Sequence, residues 1–245
     1  MPRGKPMMQI WDASAVAFMR DAIAYSDYTE RLASVLVRYL PTDGHICDAG
    51  CGIGALSVEL ARSCREITAV DISQTAIDTL RESTNAENLH AVCADIFAMQ
   101  PKTPYDAMLF CYFGRTDEIL RIAKRQCAGR VLLVKRDCSE HRFSVGRVEQ
   151  PLHRHETTRE LLLSEHIPFL SESLSLELGQ PFRSIDDALA FFRLYNTSDL
   201  PVTEASVLPR LRKTQDAQFP FYLPELRKME LFVFETQDIP SSYAR

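Results

Sequence analysis

No stretch of the chain approaches the roughly 18 consecutive apolar residues of a membrane-spanning helix. A secretory leader is not expected either. The basic start Met1-Pro-Arg-Gly-Lys-Pro6 runs into Met-Met-Gln-Ile-Trp-Asp12 where a long apolar segment would have to follow. The default expectation is a cytoplasmic protein that does not engage the membrane. A basic surplus is also missing: the net charge is −5, which disfavours nucleic acid as a partner. Basic residues do gather at Arg121, Lys124, Arg125, Arg130, Lys135 and Arg136, and these read as a solvated face of one helix and one strand. The seven cysteines contain no CxxC pair, so no metal centre is expected. An odd number of thiols, several of them in apolar runs, indicates reduced cysteines. Neither an internal repeat nor a low-complexity linker divides the chain.

What is present is an ordinary globular composition. The 245 residues are 46% hydrophobic and 25% charged, enough for one large α/β domain or a domain with a modest insertion. Apolar residues at spacings of three and four predict helices between Ala13 and Leu40, broken near Ser26-Asp27, with Thr29 or Asp27 as cap of the second. After the turn Pro41-Thr-Asp-Gly44 the pattern alternates. Strands are expected at His45–Ala49, Glu66–Asp71, Leu89–Ala94, Tyr105–Tyr112 and Gly129–Lys135. Helices are expected at Ala55–Ser63, Ser73–Asn85 and Asp117–Gln126. Strands apolar on both faces, separated by helices, predict a Rossmann-like, doubly wound, mostly parallel sheet covered on both sides. Further on, helices are expected at Thr157–His166 and Ile185–Tyr195, and helical segments at Val202–Arg212 and Pro224–Lys228. Strands are expected at Ser171–Leu178 and Met229–Glu235, the last as an antiparallel C-terminal edge strand.

The chemistry is concentrated in His45-Ile-Cys-Asp-Ala-Gly-Cys-Gly-Ile-Gly54. A strand ends at Asp48, and glycines at alternate positions permit tight turning and close ligand approach before a helix whose first N–H groups are unpaired. A nicotinamide fingerprint has its third glycine one residue later and rests a pyrophosphate on the helix dipole. Here a carboxylate precedes the first glycine, which would repel pyrophosphate but suits a ligand carrying an ammonium and a sulfonium.

Asp48-x-Gly50-x-Gly52-x-Gly54 resembles the first motif of the class I S-adenosylmethionine-dependent methyltransferases. Asp71, at the end of the second strand, resembles the acid that binds the ribose hydroxyls. Asp95-Ile-Phe97, after the third strand, resembles the adenine-binding acid and its apolar neighbour. Asp106, near the start of the fourth, is also in the family's manner. These four elements cover about residues 26–136. The resemblance implies S-adenosyl-L-methionine as cofactor, held by Asp48, Gly50, Cys51, Gly52, Gly54, Asp71, Asp95 and Phe110, with Ile72 and Ile96 sandwiching the adenine. Tyr28 is expected near the cofactor's carboxylate, with Trp11 and Tyr25 as rivals and packing as the competing role of each. Any one of the acids alone is more often a cap than a ligand. Three acids at the carboxyl ends of successive strands mark the edge where open α/β sheets bind ligands.

The implied activity is methyl transfer. The fourth strand ends Phe110-Cys-Tyr-Phe-Gly114, without the (Asn/Asp)-Pro-Pro-(Tyr/Phe) of exocyclic-amine and amide methyltransferases or the Pro-Cys of cytosine-C5 enzymes. Cys111, in so apolar a strand, reads as a packed thiol. A small-molecule acceptor, methylated on O or N, is expected. A protein or tRNA acceptor and a non-catalytic cofactor-binding relative are the rivals. Residues 1–44 are expected to form an N-terminal helical cap, and 45–245 the catalytic domain with an acceptor-site insertion around 180–225. Phe191, Phe192, Tyr195, Phe219, Phe221 and Tyr222 would wall an acceptor site or, more commonly, cover the sheet. His153 and His155, with His141 behind them, are the candidate general bases, because the segment after the fifth strand leaves the edge where an acceptor approaches.

Overall fold

Strands that are apolar on both faces need cover on both sides, and alternating helices supply it. The computed structural model describes residues 11–137, 140–149 and 155–244. In chain order the elements are α1 Ala13–Ala24, α2 Tyr28–Val37, β1 His45–Ala49, α3 Ala55–Ala61, β2 Glu66–Asp71, α4 Gln74–Ser83, β3 Leu89–Cys93, β4 Tyr105–Cys111, α5 Thr116–Gln126 and β5 Cys127–Arg136. The second half adds α6 His155–Ser164, β6 Leu170–Glu177, β7 Gln180–Phe182, α7 Ile185–Tyr195, α8 Glu204–Val207, β8 Arg212–Lys213, β9 Phe221–Leu223 and β10 Leu226–Glu235. None of the described helices is long and apolar enough to cross a membrane.

Seven strands form one sheet in the order β3-β2-β1-β4-β5-β10-β6. β1 pairs parallel with β2 and β4, which brings the carboxyl ends of β1, β2 and β3 to a common edge. Successive side chains alternate between two cores. Ile46, Leu109, Leu132 and Val134 meet Leu32 and Leu36 of α2 and Leu60 of α3 on one face. Cys47, Met108, Phe110 and Leu133 meet Ile119, Leu120 and Ile122 of α5 on the other. Cys47, Cys64 and Cys127 are buried free thiols. Caps stop the helices where the side chains predict. Asp12 accepts from Ala15 N at 2.8 Å, and Ser73 accepts from Ala76 N at 3.3 Å. Asp27 occupies the cap position of α2 without a side-chain hydrogen bond.

The C-terminal strand departs from expectation. β10 is antiparallel, as expected, but lies between β5 and β6 and leaves β6 at the edge. Residues 226–228, expected as helix, extend this strand, because their backbone pairs with Ser175–Glu177 of β6. The 202–212 segment is helical only over α8 and one 3-10 turn, where Pro209 has no N–H to donate to a longer helix.

Residues 180–223 form a separate layer. β7, β9 and β8 make a small antiparallel sheet. Phe182, Phe191 and Phe192 pack beneath it against Phe18 of α1, the Phe18 and Phe191 rings meeting edge to face at 5.2 Å. These aromatics form their own core with α1 and do not cover the main sheet, as the commoner reading expected. Gln180 Nε2 donates to the Phe18 carbonyl at 3.0 Å, and Arg183 Nη2 donates to Asp21 at 2.7 Å. The other end of α1 packs Val16 against Ile53 of the glycine-rich loop. Helix α1 therefore bridges that loop and the small sheet, forming a roof over the carboxyl edge.

Candidate cofactor and acceptor site

Beyond β1 the chain turns with Gly50, Gly52 and Gly54 all at positive φ, between 56° and 75°, before α3 begins. Gly52 is the tightest in consequence: a Cβ there would lie 2.6 Å from the Trp11 indole. Asp48, which points to α3, is buried, and its Oδ2 accepts from Ser57 Oγ at 2.6 Å. Burial pushes its pKa up to about 6, Ser57 opposes this, and the Asp71 charge adds to it. Asp71 ties the loop to α4. Its Oδ2 accepts from Gly52 N and its Oδ1 from Ser73 N, both at 2.9 Å. Carboxylate oxygens accept more than one bond each, so Asp71 retains capacity for a diol. Cys51 is half-buried in the loop, its thiol pushed up by burial and by the charges of Asp48 and Asp71.

The apolar side of the site differs in detail from expectation. Ile72 is 52% exposed beyond β2 and offers an apolar surface. Asp95 is exposed and accepts from Phe97 N at 2.9 Å. Ile96 is buried in the α5-side core, and the neighbouring Phe97 is 40% exposed. Phe110 is likewise fully buried in that core. The ring that reaches the loop is Phe113, which a Cβ on Gly50 would meet at 2.1 Å and which lies 6.4 Å from the Phe97 ring. The loop after β4 holds no period that marks Phe113.

Beside β4 stands a polar cluster. Tyr28 is buried, and its hydroxyl lies 2.9 Å from that of Tyr112. Both phenols are pushed up in pKa, chiefly by burial. Tyr112 has φ +54°, a conformation that bulky residues adopt only under constraint. Tyr25 sits apart, its ring 5.6 Å from Phe219 and 5.4 Å from Tyr222. Lys135 is buried and donates to the carbonyls of Phe113 at 3.0 Å and Gly114 at 2.8 Å. This fixes the loop after β4; burial pushes the ammonium down to about 8. Cys111 is pushed up to about 12, mainly by burial, which makes it a poor nucleophile.

The histidines separate. His153 lies outside the described residues. His155 opens α6 with Nδ1 3.6 Å from Asp137 Oδ1, an ion-pair separation without a hydrogen bond. His141 Nδ1 lies 2.8 Å from Ser144 Oγ, and both burial and the Arg136 charge lower its pKa.

Taken together, the doubly wound sheet, the glycine loop and the acids at its carboxyl edge define a Rossmann-like domain with an acid-lined loop beyond its first strand. Comparison with known proteins makes this specific. Residues 46–132 match a family described as a methyltransferase domain. Over 77 residues, 31% of this chain and 26% of the relative, the chain is 35% identical to an rRNA methyltransferase of Streptomyces thermotolerans. Over 79 residues, 31% of this chain and 14% of the relative, it is 34% identical to the biotin biosynthesis bifunctional protein BioHC of Saccharophagus degradans. The chain thus spans about a quarter or less of the length of these curated relatives. The fold is similar to the YcgJ protein of Bacillus subtilis, with a TM-score of 0.53 and 12% identity over 84% of this chain and 97% of that one. Over residues 46–132, about a third of its length, the chain is thus similar to methyltransferase domains.

Proposed function

We propose that the protein transfers the methyl group of S-adenosylmethionine to a small-molecule acceptor bound beneath the roof formed by α1 and residues 180–225. The observation that carries this reading is the joining of Asp71 to the left-handed glycine loop above the buried Asp48 carboxylate. An anionic floor under a loop with closely approachable backbone suits a ligand bearing ammonium and sulfonium charges and disfavours a pyrophosphate. When bound, the sulfonium supplies an electrophilic methyl carbon. The chain's own residues hold the nucleoside, position the acceptor in line and exclude water. Asp71 suits the ribose hydroxyls, and Ile72 and Phe97 flank the edge where the adenine would lie.

A small acceptor fits a roof that already joins the loop to the small sheet through Val16 and Phe18. The net charge of −5 disfavours an RNA backbone. We take His141, whose pKa burial and the Arg136 charge lower, as the candidate to accept a proton from a hydroxyl or ammonium acceptor. Its Nδ1 lies 2.8 Å from Ser144 Oγ, which lies 2.9 Å from Thr197 Oγ1 and accepts from Thr197 N at 2.9 Å. We assign the activity to the cytoplasm, where free thiols such as Cys47, Cys64 and Cys127 persist.

Calorimetry with S-adenosylmethionine, its demethylated product and NAD tests the cofactor. Transfer of labelled methyl to a metabolite extract or to ribosomal RNA tests the acceptor. Binding of NAD without the sulfonium cofactor would overturn the first reading, and label appearing only in RNA the second.

A further inference from the structure

Lys135, next to last in β5, is 3% exposed, and its ammonium donates to backbone carbonyls, those of Phe113 at 3.0 Å and Gly114 at 2.8 Å. Glu230, which the register sets opposite it on β10, is taken by Arg159 at 2.6 Å and by Ser173 at 2.7 Å. Burial works against the ammonium, and the charges of Glu118 and Asp117 on α5 offset this only in part. An apolar side chain here would carry no such cost. What the buried ammonium adds is a pair of charge-assisted bonds aimed at one turn, and such bonds are roughly twice as strong as neutral ones.

That turn needs holding. Tyr112, whose N donates to the Val134 carbonyl at 3.0 Å, and Gly114 both have a left-handed backbone, at φ +54° and +56°, with Phe113 between them. A tyrosine keeps that conformation only where its surroundings impose it. β1 and β4 are parallel neighbours with Asp48 opposite Leu109, so the chains leaving them run side by side. The Phe113 ring lies against the glycine loop, where a Cβ on Gly50 would come within 2.1 Å of it. Trp11 meets the same loop at Gly52, with a corresponding separation of 2.6 Å. Contact therefore runs unbroken from the Lys135 ammonium, through the carbonyls of the turn and the Phe113 ring, to Gly50.

We propose that Lys135 is a positioning residue for the glycine loop: its ammonium holds the Tyr112–Gly114 turn in shape, and the turn holds the Phe113 ring against Gly50. This rests on the reading of that loop as the S-adenosylmethionine site, and it places part of the control of cofactor affinity at the end of β5. A loop held in one shape has less freedom to lose when a ligand settles on it. Lys135 touches no ligand in this arrangement and acts through Phe113.

Hydrogen exchange on the cofactor-free full chain, read by mass spectrometry, follows the two loops separately. The N–H groups of Gly50, Cys51, Gly52 and Gly54 are all hydrogen-bonded, so their exchange reports opening of the glycine loop. Lys135→Met should speed exchange about tenfold or more at residues 112–115 and at residues 50–54, with β2 unchanged. Lys135→Arg, which keeps a cationic donor, should restore part of the protection at both. Faster exchange at 112–115 alone overturns the proposal, and so does parent-like exchange at both. Where faster exchange in β2 shows the Met variant to be unfolded, Phe113→Leu decides: it should loosen residues 50–54 by itself, and unchanged exchange there overturns the proposal. Calorimetry with the demethylated cofactor supplies a second reading. Lys135→Met and Phe113→Leu should each weaken binding about fivefold or more, and the double variant should bind within about twofold of the weaker single, since coupled residues do not add. Losses that multiply in full show two independent effects and overturn the proposal. A parent protein that binds no cofactor refutes the methyltransferase reading, while the exchange result still decides whether Lys135 positions the loop.

Discussion

Replacing Asp48 by Asn should make the cofactor-free protein more stable at neutral pH while weakening its hold on the cofactor. The Asp48 carboxyl is buried and titrates at about 6, above its ordinary 3.8. The native state therefore binds this proton more tightly than the unfolded chain, so stability from this group falls as the pH rises from about 4 to about 6. Above that window the charged form is disfavoured by about 3 kcal/mol at 1.36 kcal/mol per pH unit. Asn removes the charge and keeps an oxygen for Ser57, but its new amide N–H needs a partner, an opposing contribution of about 1 kcal/mol. The net gain at pH 7 is thus about 2 kcal/mol, a factor of about 30 in the unfolding constant. Urea unfolding of both proteins from pH 4 to 8, without cofactor, measures it. The stability difference should be near zero or slightly negative at pH 4, grow toward pH 6 and level off above pH 7. A difference independent of pH, or an Asn variant less stable than the parent at pH 7, would refute the reasoning. On the functional side, losing the anionic floor beneath a cationic ligand should weaken S-adenosylmethionine binding about tenfold, or about 1.4 kcal/mol, by calorimetry at pH 7.

Asp71→Ala should weaken cofactor binding by at least tenfold, since each charge-assisted bond to a hydroxyl contributes about 1.5–3 kcal/mol; unchanged affinity by calorimetry would remove Asp71 from the site. Gly52→Ala places a Cβ 2.6 Å from the Trp11 ring on a left-handed backbone, so cofactor binding should be lost or the melting temperature should fall measurably. Trp11→Ala should relieve that steric conflict and recover stability in the double variant, a coupling that separate thermal melts would detect. If His141 is the base, turnover in the parent should fall as the pH drops through a value below 6.5, and His141→Ala should abolish that limb. His155→Ala should leave the limb in place; full turnover of both variants between about pH 6 and 8 would show that neither histidine is the base.

The core of the domain was readable because its signals are local. β1, β2 and α7 fall on the predicted residues, His45–Ala49, Glu66–Asp71 and Ile185–Tyr195, where apolar runs are bounded by turn residues or a Ser cap. The glycine loop was readable for the same reason. What escaped depends on partners far away in sequence. Residues 226–228 are strand because β6, some fifty residues earlier, pairs with them. The burial of Ile96 and the exposure of Phe97 are not legible from strand alternation, because the turn that Asp95 closes interrupts it beyond β3. Phe191 and Phe192 pack against α1 and not the main sheet, a choice made by the roof as a whole. The bonds from Lys135 to the carbonyls of Phe113 and Gly114 arise only when β5 pairs beside β4 in its observed register.

That insertion of β10 also sets a timetable for synthesis. β5 is finished at Arg136, but the strand that seals its outer edge is not finished until Glu235, 235 − 136 = 99 residues later. At elongation rates of about 5–20 residues per second, the nascent chain spends about 5–20 seconds with that edge unsealed. Val131–Val134 are all fully buried in the finished protein, and their edge stands as a template for any strand that arrives first, β6 of the same chain among them. A parallel β5–β6 pairing formed in that interval would have to open before Leu226–Glu235 could take its place, so the last strand made governs how quickly a newly synthesised molecule becomes native.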